Sequence, residues 1–298
     1  MTNSTIGIAG TGRMGTAVAQ RLIETGAPVV VWNRSPERTV EAVGAGATAI
    51  PSPGALVAAC DILITSLTDF AALDAVYRGP DGLLAEGAEG KLFIELSTIL
   101  PHEQITLATA AKAAGADFLE CPVGGTVGPA LKGQLLGLAG GTEEAWQRGE
   151  AVLQKLCKRV ELLGPVGTGS QMKLAVNLPL AIYWSVLGES FSLVEGAGVG
   201  AQQFASLLAD SSAGPNVLRA RLDLIASALD GAKPLGTFDI DGFTKDLSLA
   251  LRWAKESGAK LPVAKTVLQI YEDAQTAGLG SLDGACLARF VSATVKKN

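Results

Sequence analysis

Up to Gly164 the chain alternates short apolar runs with amphipathic stretches. Residues 6–9, 28–32, 47–50, 61–67, 91–96, 117–120, 134–139 and 158–163 read as strands. Between them, residues 16–25, 36–43, 53–59, 70–77, 101–114 and 142–156 carry apolar side chains at helical spacing, the last capped by Thr142. Strands alternating with helices at this interval predict a mostly parallel, doubly wound sheet. Beyond Gly164 the two-residue alternation stops. Helices are expected over 170–195, 202–208, 216–228, 245–256, 263–277 and 283–295. The fold class is therefore α/β: an N-terminal Rossmann-type doubly wound domain, 1–164, and an all-α domain, 165–298. A long helix joins them and is expected to border a cleft.

Composition narrows the setting. The 298 residues are 48% hydrophobic and 18% charged, with a net charge of −5. So large an apolar share predicts a sizeable core and a homodimer or homotetramer that hides the surplus. Adjacent basic residues occur only as the pairs Lys158-Arg159 and Lys296-Lys297, with no longer basic block, which argues against nucleic acid. Four cysteines, Cys60, Cys121, Cys157 and Cys286, have neither metal nor redox spacing and suit a reducing compartment. The start, Met1-Thr2-Asn3-Ser4, carries no basic or apolar leader. The apolar run after Lys173, interrupted by Asn177 and Pro179, reads as too short to span a membrane. A cytoplasmic enzyme without a membrane partner is expected.

Gly10, Thr11, Gly12, Arg13, Met14 and Gly15 form G-x-G-x-x-G between the first strand and the first helix. The first glycine permits the turn, the second admits a pyrophosphate to the backbone, and the third lets helix and strand close up. The second strand ends at Asn33-Arg34-Ser35. An NAD enzyme usually has an acid there for the ribose 2′-hydroxyl. Asn33 does not repel a 2′-phosphate, Arg34 can pair with it and Ser35 can hydrogen-bond it. NADP(H) is thus expected ahead of NAD(H), the competing reading making Arg34 a solvated loop residue. Leu67 and Ser97-Thr98 also fall at carboxyl ends of strands, where ligands bind, although Ser97-Thr98 equally fits a helix cap.

Residues 121–130 are too rich in glycine and proline for regular structure, and their N–H groups could form an anion nest. Downstream, Lys173 and Asn177 stand four residues apart and share a helix face. A lysine heading so apolar a run either snorkels to water or lines a cleft, where burial lowers its pKa toward proton transfer. His102 reads as a surface residue, and Asp283 as a helix cap rather than an acid.

On these residues the chain resembles the β-hydroxyacid dehydrogenase family, which includes 3-hydroxyisobutyrate dehydrogenases and the tartronate, glyoxylate and succinic semialdehyde reductases. The resemblance rests on Gly10-x-Gly12-x-Met14-Gly15, Asn33-Arg34-Ser35, Ser97-Thr98-Ile99, Cys121-Pro122-Val123-Gly124-Gly125, Gly167-x-Gly169-x-x-x-Lys173-x-x-x-Asn177 and Lys245-Asp246-Leu247. It implies hydride transfer between NADP(H) and a small carbonyl acid or its hydroxy acid, with Lys173 as general acid and base. Asn177 would orient substrate or lysine, and Gly124, Gly125 and Thr126 would bind the acidic end. Lys245 would close over cofactor and substrate, and Phe238 would form an apolar wall or belong to the core.

Three positions depart from the family pattern. Gly124 replaces the usual substrate-loop serine, Thr126 replaces a glycine, and Val176 replaces an asparagine. Gly125 also stands where sulfolactaldehyde reductases have arginine. Related imine reductases usually lack the lysine. An imine reductase of this fold is therefore the first rival, and a cofactor-binding sensor or scaffold without turnover the second.

Overall fold

The computed structural model describes residues 4–295; Met1 to Asn3 and the Lys296-Lys297 pair lie outside them. Nine strands form the sheet: β1 Ile6–Ala9, β2 Val29–Trp32, β3 Thr48–Ala49, β4 Ile62–Thr65, β5 Leu92–Glu95, β6 Asp117–Glu120, β7 Val123–Gly124, β8 Leu135–Gly141 and β9 Cys157–Leu162. Their order is β3-β2-β1-β4-β5-β6-β8-β7, with β9 paired to β8. The first six are mutually parallel, and β8 runs antiparallel to β6 and β7. The 3-2-1-4-5-6 order is that of dinucleotide-binding sheets.

The apolar runs of β1 and β5 are buried at every residue, as expected where helices cover both faces. Successive residues serve opposite cores. Ile8, Ile64, Ile94 and Leu119 pack with Val18, Leu22 and Leu153 on one face. Ala9, Leu63, Phe93 and Phe118 pack with Leu56, Leu73 and Tyr77 on the other.

The chain divides into two compact units, one ending at Lys173 and the next starting at Leu174. The division falls inside the Thr168–Ser192 helix, which is continuous through Pro179. In the second unit this helix buries Ala181, Trp184, Leu187 and Phe191 among Phe243, Val267, Tyr271 and Leu287. The Tyr271 hydroxyl donates to the Ala181 carbonyl at 3.0 Å. A side chain at Gly188 would overlap the Ala288 carbonyl, so glycine there lets the Cys286–Val295 helix approach.

Three expectations need correction. Residues 121–130 do hold regular structure, namely β7 and a Val127–Leu131 helix, because β7 pairs with β8 and Thr126 starts the helix. The helix expected over 216–228 is two, Asn216–Ala220 and Leu222–Leu229. The backbone breaks at Arg221, whose guanidinium reaches the buried Asp283 at 2.5 Å. The apolar run after Lys173 is not too short. The 25-residue helix that holds it is long and apolar enough to cross a membrane by length and composition, and 44% of its most apolar stretch is buried within the fold.

Candidate functional site

The glycine turn follows β1 directly. Gly10 has φ +100°, and an added side chain would overlap the Ser66 carbonyl and approach Leu67. One at Gly15 would overlap the Gly10 carbonyl. Packing therefore dictates both glycines. Gly12 differs, because a Cβ there meets nothing of the chain within 4 Å. Gly12 caps the Arg13–Glu24 helix, which has no side-chain cap and no acidic residue in its first turn. The Thr11 hydroxyl is buried without a hydrogen-bond partner among the described residues. Open space at Gly12, a helix N-terminus free of carboxylates and an unspent hydroxyl fit a pyrophosphate. The reduced nicotinamide of such a dinucleotide supplies hydride. Met14 packs against the sheet core.

At the end of β2, Asn33 Oδ1 accepts from the Ser35 N–H at 3.0 Å, a local turn that leaves Arg34 exposed between them. At the ends of β4 and β5, the Leu67 N–H donates to Ser97 Oγ at 2.8 Å. Ser97 and Thr98 do not cap the following helix. Its N-cap is Leu100, whose N–H donates to Glu103 at 2.8 Å. Gly10, Leu67 and Ser97 are thus brought together, with Thr98 next in the chain and half-buried.

Two carboxylates beneath these loops escape sequence reasoning. Glu95 and Glu120 are register partners at the carboxyl ends of β5 and β6, and both are fully buried. Glu95 accepts from the Ser97 N–H at 2.6 Å and from the Thr65 hydroxyl, which also contacts the Tyr77 hydroxyl at 3.0 Å. Burial pushes the Glu95 carboxyl up to about 7, against those hydrogen bonds and with help from Glu120. Burial also raises Glu120, against four donors at the head of the lysine helix. The available signal was an acid closing an otherwise apolar strand: Phe93-Ile94-Glu95 and Phe118-Leu119-Glu120.

The loop expected to hold the substrate follows Glu120. Gly124 is half-buried, and a Cβ there would make ordinary contact with Leu136 at 3.5 Å, so packing does not exclude a serine. Gly125 has φ +122°, and a side chain would press on Leu135 and Pro129, which excludes an arginine. Thr126 precedes the Val127–Leu131 helix without capping it through its side chain.

Lys173 is only 7% exposed, which removes the snorkelling reading. One helical turn on, Asn177 Nδ2 donates to Asp246 Oδ2 at 2.6 Å, and Lys245 Nζ lies 3.6 Å from Asp246 Oδ1. The second unit thus brings Asn177 and Lys245 together around Asp246, which is 4% exposed and which the sequence marks only as the middle of Lys245-Asp246-Leu247. Phe238 instead turns its ring onto Phe243, centroids 4.2 Å apart, at the edge of the helical core.

His102 is exposed. Asp283 accepts from the Ala285 N–H at 3.0 Å in the turn just ahead of the Cys286–Val295 helix, and its other oxygen accepts from Arg221. The four cysteines are free and buried. Burial pushes Cys60 and Cys157 up to about 12, so neither is a poised nucleophile.

Residues 5–164 match the family described as the NAD binding domain of 6-phosphogluconate dehydrogenase, and residues 167–291 match the NAD-binding domain of NADP-dependent 3-hydroxyisobutyrate dehydrogenase. The chain is 29% identical to glyoxylate/succinic semialdehyde reductase 1 of Arabidopsis thaliana, over 93% of this chain and 95% of that protein. Its fold is similar to Mycobacterium tuberculosis 3-hydroxyisobutyrate dehydrogenase with L-serine, at TM-score 0.85 and 25% identity, covering 97% and 99% of the two chains. An Aspergillus terreus reductive aminase with NADPH and ethyl levulinate aligns over the same shares at TM-score 0.64 and 27% identity.

Proposed function

The chain belongs to the 3-hydroxyisobutyrate dehydrogenase family of NAD(P)-dependent oxidoreductases, and from that premise we propose which reaction it runs and with which residues. The reaction is reduction of a short carbonyl acid of the semialdehyde type to its hydroxy acid, and the reverse, with NADP(H) preferred. Lys173 carries this reading: a lysine 7% exposed, one turn before an asparagine whose amide is held by a buried aspartate.

In the reductive direction the carbonyl carbon accepts hydride while its oxygen takes the proton of the Lys173 ammonium, leaving a hydroxyl and a neutral amine that water reprotonates. Until that transfer, the ammonium charge stabilises the forming alkoxide. With Nδ2 spent on Asp246, Asn177 presents Oδ1 as an acceptor to lysine or substrate hydroxyl. Gly124, Gly125 and Thr126 receive the acidic end of the substrate, and Lys245 adds positive charge. Gly10 to Gly15, Leu67 and Thr98 hold the cofactor, and Arg34 pairs with its 2′-phosphate, flanked by Asn33 and Ser35.

The proposal extends to a cytoplasmic homodimer or homotetramer. Leu193 at 85% and Leu235 at 77% exposure support assembly, and four free cysteines suit a reducing compartment.

NADPH oxidation against glyoxylate, succinic semialdehyde, tartronate semialdehyde, sulfolactaldehyde and a cyclic imine tests this, run beside NADH. Turnover of a carbonyl acid, faster with NADPH by about tenfold or more, is expected from one charge-assisted pair at Arg34. Turnover of the imine alone would transfer the chain to the reductive-amination reading. Tight NADPH binding without oxidation of any carbonyl would make it a sensor.

A further inference from the structure

We propose that Glu120 is a positioning residue for Lys173, locking the head of the lysine helix to the strand that launches the substrate loop. The inference rests on the reading of Lys173 as the general acid. Glu120 Oε1 accepts the N–H groups of Gly167 and Gly169, the latter at 2.9 Å. Its Oε2 accepts the Ser170 N–H at 3.2 Å and the Ser170 hydroxyl at 2.6 Å. Three backbone donors at the start of a helix are groups that the helix itself cannot satisfy. One carboxylate takes them together, and it is fully buried.

The surrounding glycines make room for it. A side chain at Gly140, its register partner on β8, would overlap Glu120 Oε1. One at Gly169 would overlap the Leu138 carbonyl and crowd the Glu120 carboxyl at 3.2 Å. The spacing Gly167-x-Gly169-Ser170 is thereby explained as a socket for this side chain. Ser170 and Lys173 are three residues apart, on one face of the same helix. In the other direction, Glu120 is the last residue of β6, and Val123-Gly124 follows after Cys121-Pro122. Glu120 therefore sets the register between the lysine and the loop proposed to hold the substrate.

The test compares Glu120→Asp, Glu120→Gln and Ser170→Ala with Lys173→Ala. Aspartate keeps the charge but withdraws it by one methylene. Glutamine keeps the length but turns an NH2 toward donors. Serine removal deletes a single bond. For Glu120→Asp, kcat should fall by about 10- to 100-fold, the effect of misplacing a reacting group by about 1 Å, while the NADPH Kd stays within about twofold. Ser170→Ala should lose about threefold in kcat, with faster amide exchange confined to residues 167–170.

If Glu120→Asp does not fold, Ser170→Ala decides. Unchanged kcat in either folded variant, or a fall matched by an equal loss of NADPH affinity, would overturn the inference. Full activity in Lys173→Ala would instead overturn the acid–base reading, which keeps the two failures distinct.

Discussion

The turn after β1 and the loop after β6 both present glycines at the carboxyl edge of one sheet, and they obey different masters. In the first, Gly10 and Gly15 are fixed by contacts within the chain, and Gly12 alone is left to a ligand. In the second, Gly125 is fixed by its backbone, while Gly124 has room for a side chain it does not carry. A glycine imposed by packing says what the fold needs. A glycine that packing would let go is open to selection by something other than the fold, and at Gly124 the proposed function makes that the substrate. The glycine turn after β1 is therefore a property of the fold, and the loop proposed to hold the substrate is where this chain departs from the family pattern.

The sharpest way to break the contrast is Gly15→Ala against Gly12→Ala. The Gly15 variant drives a methyl into the Gly10 carbonyl and should lose about 3 kcal/mol or more of stability, seen as a lowered denaturant midpoint. Gly12→Ala should keep its midpoint and bind NADPH about tenfold more weakly. Equal stability losses in the two variants would erase the distinction.

The substrate side is probed by Gly124→Ser, which restores the hydroxyl that family members carry. With ordinary contacts available to its Cβ, the variant should fold normally and lower KM for carboxylate-bearing aldehydes by about tenfold, one hydrogen bond to a charged group. A destabilised variant would show that packing governs Gly124 too.

Much of this was open to sequence reasoning. β1, β5 and β6 follow from apolar runs buried on both faces, and the glycine turn from its place between a strand and a helix. The helix carrying Lys173 and Asn177 was legible from one apolar run, and its observed span, Thr168–Ser192, is displaced by only two to three residues at each end from the expected 170–195. Long-range partnerships stayed hidden. Nothing near Glu120 in sequence announces Gly167, and nothing near Asn177 announces Asp246, because tertiary folding alone juxtaposes them. Residues 121–130 look irregular in sequence because β7 takes its pairing from β8, across a turn that propensity does not register.

The smallest expected effect concerns Glu95 and separates structural from functional burial. Its carboxyl is raised from 4.5 to about 7, so the folded state holds a proton that the unfolded chain releases earlier. Stability from this group is complete below about pH 4.5 and is lost as pH rises to about 7. Glu95→Gln should flatten that part of the stability–pH curve, read from denaturant midpoints at pH 5 and 8. A slope that survives the substitution would assign the titration to another group.

The central claim is that Lys173 supplies the proton, and kcat of Lys173→Ala on the best carbonyl substrate tests it most directly, with NADPH affinity measured on the same preparation. A fall of about 10²- to 10⁴-fold at unchanged NADPH Kd is predicted. Retained turnover at the wild-type rate would contradict it and remove the lysine from the reaction.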